Sequence, residues 1–322
     1  MSVEIILIIL FAALLHAAWN ALLRAGADRL WSMTVMCIAI AIVCAILVFF
    51  VSVPAQASWG YLLASAVLHT GYNLFLVRSY RSGELGQVYP ISRGSSPLLV
   101  CLGAAIFAGE LPDPLSLIGV VLVSFGILSL AFQGRKLGLD SLPYALGTGC
   151  FIGAYSVTDG IGARLSGSPI GYTVWMCLFW GVISPAVYVA LRDWRSLLRG
   201  PRETAIAAGG GIVSLIAYGI VIVAMSFAPM GSVSALRETS VVFAALIGRF
   251  VLHETLTARR AIACVVVAIG AACIGHGRGR EQVVPVSTSV SGVMRGLDPR
   301  IHHARTLAKG MDGRVKPGHD GV

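Results

Sequence analysis

Apolar residues in this chain fall in unbroken windows of about twenty, the length a helix needs to cross bilayer hydrocarbon, and short polar stretches separate them. The pattern predicts ten transmembrane helices. The first runs from Val3 to Leu23, the second from Trp31 to Val51, the third from Trp59 to Val77, the fourth from Val88 to just before Glu110, and the fifth from Leu115 to Phe132. Gln133 to Ser141 is polar. Five more follow: Leu142 to Ile161, Gly171 to Leu191, Ala205 to Phe227, Val233 to Leu252 and Ala261 to Ile274. The first window has no basic segment before it and is longer than a signal-peptide core, so it reads as a retained span. From Gly277 onward no window is long or apolar enough to span, and residues 277–322 are expected to be a disordered basic tail. Its phrases VMRGLDPRIHH and MDGRVKPGHDG look like a translated repetitive DNA element; a basic lipid-contacting arm is the alternative.

Composition excludes a soluble domain. Of the 322 residues 57% are hydrophobic and 12% charged, against about a quarter charged in soluble proteins. The net charge of +9 divides into +4 for the tail and +5 for the spans and loops. The basic residues are spread among loops, which argues against a nucleic-acid partner. Twelve lie in the connections after odd-numbered windows, against only Arg164 after even-numbered ones. The positive-inside rule would put both termini outside the cytoplasm. The seven cysteines all fall in apolar windows without a CxxC pair, so disulfide and zinc readings fail and packing remains.

Shifting the chain by 144 residues lays Ile91 to Glu110 on Ala235 to Glu254. Arg93 falls on Arg237, Ser96 on Ser240, Glu110 on Glu254 and, further on, Gly126 on Gly270. A shift of 136 lays Ala18 and Trp19 on Ala154 and Tyr155. The fold expected is an all-α polytopic membrane protein of two five-helix repeats, residues 3–134 and 142–276. An odd number of spans inverts the second repeat relative to the first, and a site between inverted halves can open alternately to each side.

The opening LLHAAWNALLRAG, the doubled arginine-to-glutamate spacing and the GE-L-P-x-P-x-S-L-x-G-V run from Gly109 resemble the EamA-type branch of the drug/metabolite transporter superfamily. The resemblance covers Val3 to Ile274. It implies a ten-helix carrier in the bacterial inner membrane, generally an exporter of amino acids, metabolites or drugs. The family is usually drawn with both termini cytoplasmic, opposite to the charge rule, so orientation stays open. The second half departs from the pattern, with ETLTARRA where the first has ELPDPLSL, and with Glu238 directly after Arg237.

Ionisable groups at membrane depth cost roughly 2.5–3.5 kcal/mol each, so they face a cavity or a partner. Arg93 and Arg237 are expected as a pair around a central cavity, able to hold a carboxylate or phosphate; pairing with a protein carboxylate is the alternative. His16, Trp19 and Asn20 share a face of the first helix, and His69, Tyr72 and Asn73 share one of the third. With Tyr155, Trp175 and Tyr218 these are the candidate substrate contacts, against ordinary helix packing. Trp31, Trp59, Trp180 and Trp194 are assigned to interfacial belts. Glu238 and Asp159 are candidate coupling carboxylates, and either histidine could relay protons. Arg237 should point about 100° around the helix from Glu238, leaving that carboxylate free. Glu110 and Glu254 are expected at the turns into the following helices, as caps. Gly149 and Gly153 form a GxxxG contact face.

The partners these features imply are a small-molecule substrate and lipid, with a homodimer open and no cofactor. Export by proton antiport is the first functional reading and uptake or exchange the second. An intramembrane enzyme is remote, because no HExxH, GxSxG or paired-aspartate arrangement is present and His253-Glu254 lacks a second histidine.

Overall fold

The computed structural model describes residues 1–25, 28–82, 85–132, 141–250 and 257–277, giving only the backbone at 24, 25, 80–82, 85 and 86. The tail from 278, the polar stretch 133–140 with Arg135 and Lys136, and His253 and Glu254 lie outside the described residues. Among the described residues all regular structure is helical: α1 (Val3–Ala25), α2 (Arg29–Leu47), α3 (Trp59–Ser82), α4 (Leu85–Ala108), α5 (Pro114–Leu128), α6 (Leu142–Leu165), α7 (Pro169–Leu191), α8 (Pro201–Phe227), α9 (Met230–Arg237), α10 (Ser240–Phe250) and α11 (Ala258–His276). Among the described residues nine segments are long and apolar enough to cross a membrane, with Met230–Phe250 counted as one. α6 has the length but not the hydropathy. Its polar Thr148, Ser156 and Asp159 have no exposed surface and face the interior of the bundle.

The ninth window is two helices. At the break the Thr239 amide and hydroxyl both bond the Leu236 carbonyl (3.1 and 2.7 Å), tightening the last turn of α9 so that α10 starts afresh at Ser240. α4 instead runs through Pro90 and Pro97. Proline at 97 cannot donate to the carbonyl of Arg93; the Ser96 hydroxyl takes that carbonyl at 3.1 Å.

The GELPDP run makes the α4–α5 corner. Gly109, at φ +65°, provides the left-handed residue that ends α4. Asp113 caps α5 through the amides of Leu115 and Ser116 (3.0 and 3.3 Å), and Pro114 occupies its first turn. Glu110 does not cap that following helix, as the sequence suggested. One oxygen accepts from the amide of Met230 (2.8 Å), capping α9 in the other half of the chain; the other meets Arg164 at 2.8 Å. Arg164 also donates to the carbonyls of Met225 and Ala228. The one cation after an even-numbered window is therefore a buried ion-pair partner and not a loop charge.

Nearly all large helix contacts join one half to the other. α3 packs on α6 as α1 packs on α8; α4 packs on α6 as α1 packs on α10; α7 packs on α3 as α2 packs on α8. α5 and α11 pack on each other, so closely that a Cβ at Gly119 would lie 2.6 Å from the carbonyl oxygen of Gly270, and one at Gly270 would lie 2.7 Å from that of Gly119. On the same seam Gly126 faces Ala263. The 144-residue register exchanges these two contacts, carrying 119 to 263 and 126 to 270. On α6, Gly149 lies under Ser92 and Ser95 and Gly153 under Leu99, the close approach expected of GxxxG.

Candidate substrate site

Two structures meet at the centre of the helical unit: a charged knot and an aromatic cavity. The knot is built from α1, α4 and the α9–α10 break. Arg93 Nη1 lies 3.2 Å from Glu238 Oε1, and Arg237 reaches the same oxygen through Nη2 at 2.9 Å and Nε at 3.2 Å. Arg237 and Glu238 are thus not held apart by helical spacing. α9 ends at Arg237, and at the break the Glu238 carboxylate lies back against the neighbouring guanidinium. His16 Nε2 contacts Arg93 Nη2 and its Nδ1 accepts from Trp19 Nε1 at 3.1 Å. All four ionisable side chains are buried, Glu238 completely. With two guanidiniums on one carboxylate oxygen, the knot carries one positive charge beyond its internal pair, and Glu238 Oε2 is unpartnered.

The cavity beside the knot has a volume of about 50 Å³. His69 and Tyr155 stack at 3.9 Å between centroids; Tyr72 and Tyr218 each meet Tyr155 edge-on at 5.7 Å, and Trp180 lies 5.0 Å from His69. His16, Trp19 and Asn73 also face it. The position of His69 is set by its own helix, where Nδ1 lies 3.0 Å from the Ser65 carbonyl oxygen. Asn73 Nδ2 lies 3.5 Å from the Ser184 hydroxyl, leaving its Oδ1 unpartnered, as is Trp180 Nε1. The wall thus offers flat apolar surface together with an unpartnered acceptor and an unpartnered donor. This is how a small-molecule site obtains area and orientation.

Of the residues expected at the site, His16, Trp19, His69, Tyr72, Asn73, Tyr155 and Tyr218 line the cavity; Arg93, Arg237 and Glu238 form the knot behind His16. Asp159 is behind Tyr218, whose hydroxyl donates to it at 2.6 Å, while Tyr172 donates to its other oxygen at 3.0 Å. Two expectations fail. Asn20 bonds the backbone carbonyl of His16 (2.8 Å) and stays out of the cavity. Trp175 packs on Trp59 and Phe179, and Trp180 lines the cavity in its place. Trp180 lies midway along α7, where interfacial tryptophans do not occur; its place in the window was the available signal. Met33, Met36 and Cys37 of α2, also part of the wall, carry no sequence mark that separates them from packing residues.

Beyond Met36 a second space of about 220 Å³ opens toward the arginine-rich connections. Its rim is tied by Asp28, which caps α2 through the Trp31 amide and holds Arg192 at 2.6 Å and Arg199 at 2.9 Å. Partial burial acts to raise the pKa of Asp28, but the hydrogen bonds from Arg192 and Trp31 and the charges of both arginines outweigh it, holding the carboxyl below the usual aspartate range.

Residues 141–275 match the model of the EamA-like transporter family. A solved chain described only as "Crystal structure of protein" is 21% identical, with a TM-score of 0.66 over 84% of this chain and 94% of that one; the likeness is one of fold. No curated protein matches. The second half of the chain is thus similar to the EamA-like transporter family, and its span-length helices make the chain a multi-pass membrane protein.

Proposed function

We propose that the chain is a secondary carrier, not an enzyme, built of two inverted EamA repeats, residues 3–134 and 142–276. By this reading it exports a small metabolite, an amino acid or related compound, or a drug, by alternating access coupled to protons across the bacterial inner membrane. The observation that carries this is the convergence of Arg93 and Arg237, one from each half at equivalent positions, on a single carboxylate beside the central cavity. A knot between the halves is remade whenever they rock against each other, and its uncompensated positive charge attracts an anionic group of a substrate.

The test is transport of an isotopically labelled metabolite panel into proteoliposomes. Arg93→Ala and Arg237→Ala should each abolish uptake of whichever compound the unaltered protein moves, while both variants still insert and elute as folded protein. Normal movement by both would remove the paired-arginine site.

A further inference from the structure

Asp159 lies on α6 with no exposed surface. Titratable or charged side chains on the elements packed around α6 include His69 on α3, Arg93 on α4, Tyr172 and Cys177 on α7, Tyr218 on α8, and Arg237 with Glu238 at the α9–α10 break. Among the described residues no cation is bonded to Asp159: the hydroxyls of Tyr172 and Tyr218 donate to it, and Ser65 is the other neutral group that acts on it. The two interior carboxylates therefore differ in kind. Glu238 is clamped by two guanidiniums and has a fixed countercharge, whereas Asp159 has only neutral donors. A carboxylate removed from water without a cation is held at a cost of several kcal/mol, and a proton relieves that cost.

Tyr218 connects this group to the cavity, since it lines the wall and donates to Asp159 Oδ2. A phenol hydroxyl carries one proton and two lone pairs. While Asp159 is ionised, the Tyr218 proton points at the carboxylate and its oxygen can accept from whatever occupies the cavity. When Asp159 is protonated, its own O–H can donate to the Tyr218 oxygen, and the phenol proton is free to turn into the cavity.

Resting on the carrier reading above, we propose that Asp159 carries the exchanged proton and that its protonation reverses the hydrogen-bond polarity Tyr218 presents to the substrate. A substrate group that donates, such as an amine, is held by the ionised state and expelled by the protonated one. The proton arrives from water in the cavity when it faces one side, and it returns to cavity water on the other side when the next donor group binds. Proton and substrate thus alternate on one site, which is antiport.

The first measurement needs no substrate. Infrared difference spectra of the full chain in lipid nanodiscs, titrated between pH 9 and pH 5, should show a protonated-carboxyl band that grows as pH falls. The band should vanish in Asp159→Asn, persist in Glu238→Gln and shift in Tyr218→Phe, which removes one hydrogen bond to it. Should Asp159→Asn fail to fold, carboxyl-¹³C aspartate in the unaltered chain assigns the band to an aspartate, and its shift in Tyr218→Phe assigns it to the one that Tyr218 bonds. A band that persists in Asp159→Asn, that the isotope does not move, or that never appears overturns the proposal. In proteoliposomes, with a labelled amino-acid mixture as the probe, a pH difference of two units should drive accumulation of up to about 100-fold for one-for-one exchange. Asp159→Asn should lose all of it, and undiminished accumulation by that variant also overturns the proposal. If the unaltered chain moves no probe, the carrier reading fails for that class, and the infrared result still decides whether Asp159 binds the proton.

Discussion

Glu238→Gln is the perturbation that tests the central knot most directly. The carboxylate has no exposed surface, and both guanidiniums on it are at most 2% exposed. Replacing it with a neutral amide keeps size and shape but raises the net charge of the knot from +1 to +2 at a buried position. Removing one partner of a buried pair typically costs about 3–5 kcal/mol, and here one anion serves two cations, so the upper end applies. Arg237→Gln removes a charge-assisted interaction in which two donors share one oxygen, worth about 1.5–3 kcal/mol, yet leaves Arg93 and Glu238 as a balanced pair. Its loss should be smaller than that of Glu238→Gln. The double variant returns the net charge to +1 and should recover part of the Glu238→Gln loss. Equilibrium unfolding in mixed detergent micelles, run as a double-mutant cycle, measures each step. If Arg237→Gln costs as much as Glu238→Gln, or the double variant loses the sum of the two, the knot is not held by charge balance.

Two further outcomes follow from the periphery of the site and from the seam between the halves. Asp28 is held below its ordinary pKa by Arg192, Trp31 and Arg199 against the effect of burial, so its contribution is fully present above the unfolded aspartate value near 3.9 and declines as pH falls through the folded one. Melting temperature should be flat from pH 8 to 5 as far as this tie is concerned and should drop below about pH 4, and Asp28→Asn should shrink that acid-side drop. Gly119→Ala should destabilise the α5–α11 seam by about 1–3 kcal/mol, because the new methyl meets backbone at 2.6 Å. Gly126→Ala should cost less, its nearest neighbours being valine methyls at 3.0 and 3.2 Å that can turn aside. Equal losses in thermal unfolding would contradict this reading of the seam.

Hydropathy alone located the helices to within a few residues, because a lipid-facing helix must be apolar along its whole length. The 144-residue offset read between Arg93 and Arg237 also carries the Gly119–Gly270 contact of α5 and α11 onto the one between Gly126 and Ala263. What escaped the sequence was conformational: the break at Thr239 rests on a hydroxyl turning back on a carbonyl, and it is this break that folds Glu238 onto Arg237. Periodicity assumed an unbroken helix and separated them. Trp175 and Trp180 were exchanged for a related reason, since composition marks a tryptophan but not which side of a crowded helix it occupies. Glu110 was legible as structural, but its partners, Met230 and Arg164, lie 120 and 54 residues away, beyond any local signal.

The segment from Met230 to Phe250 bears on how the protein is made. With Arg237, Glu238 and Arg249 in 21 residues, it leaves the ribosome as a poor substrate for insertion, since a central charge costs roughly 2.5–3.5 kcal/mol at the translocon. Its counterparts, His16 and Arg93 in the knot and Glu110 at the start of α9, all lie in the first half, synthesised long before it. Those helices must therefore remain unclosed in the bilayer, keeping a berth for the late arrival. Assembly is then ordered by the chain itself, and expressing the second half without the first should deliver α9 to degradation instead of to the membrane.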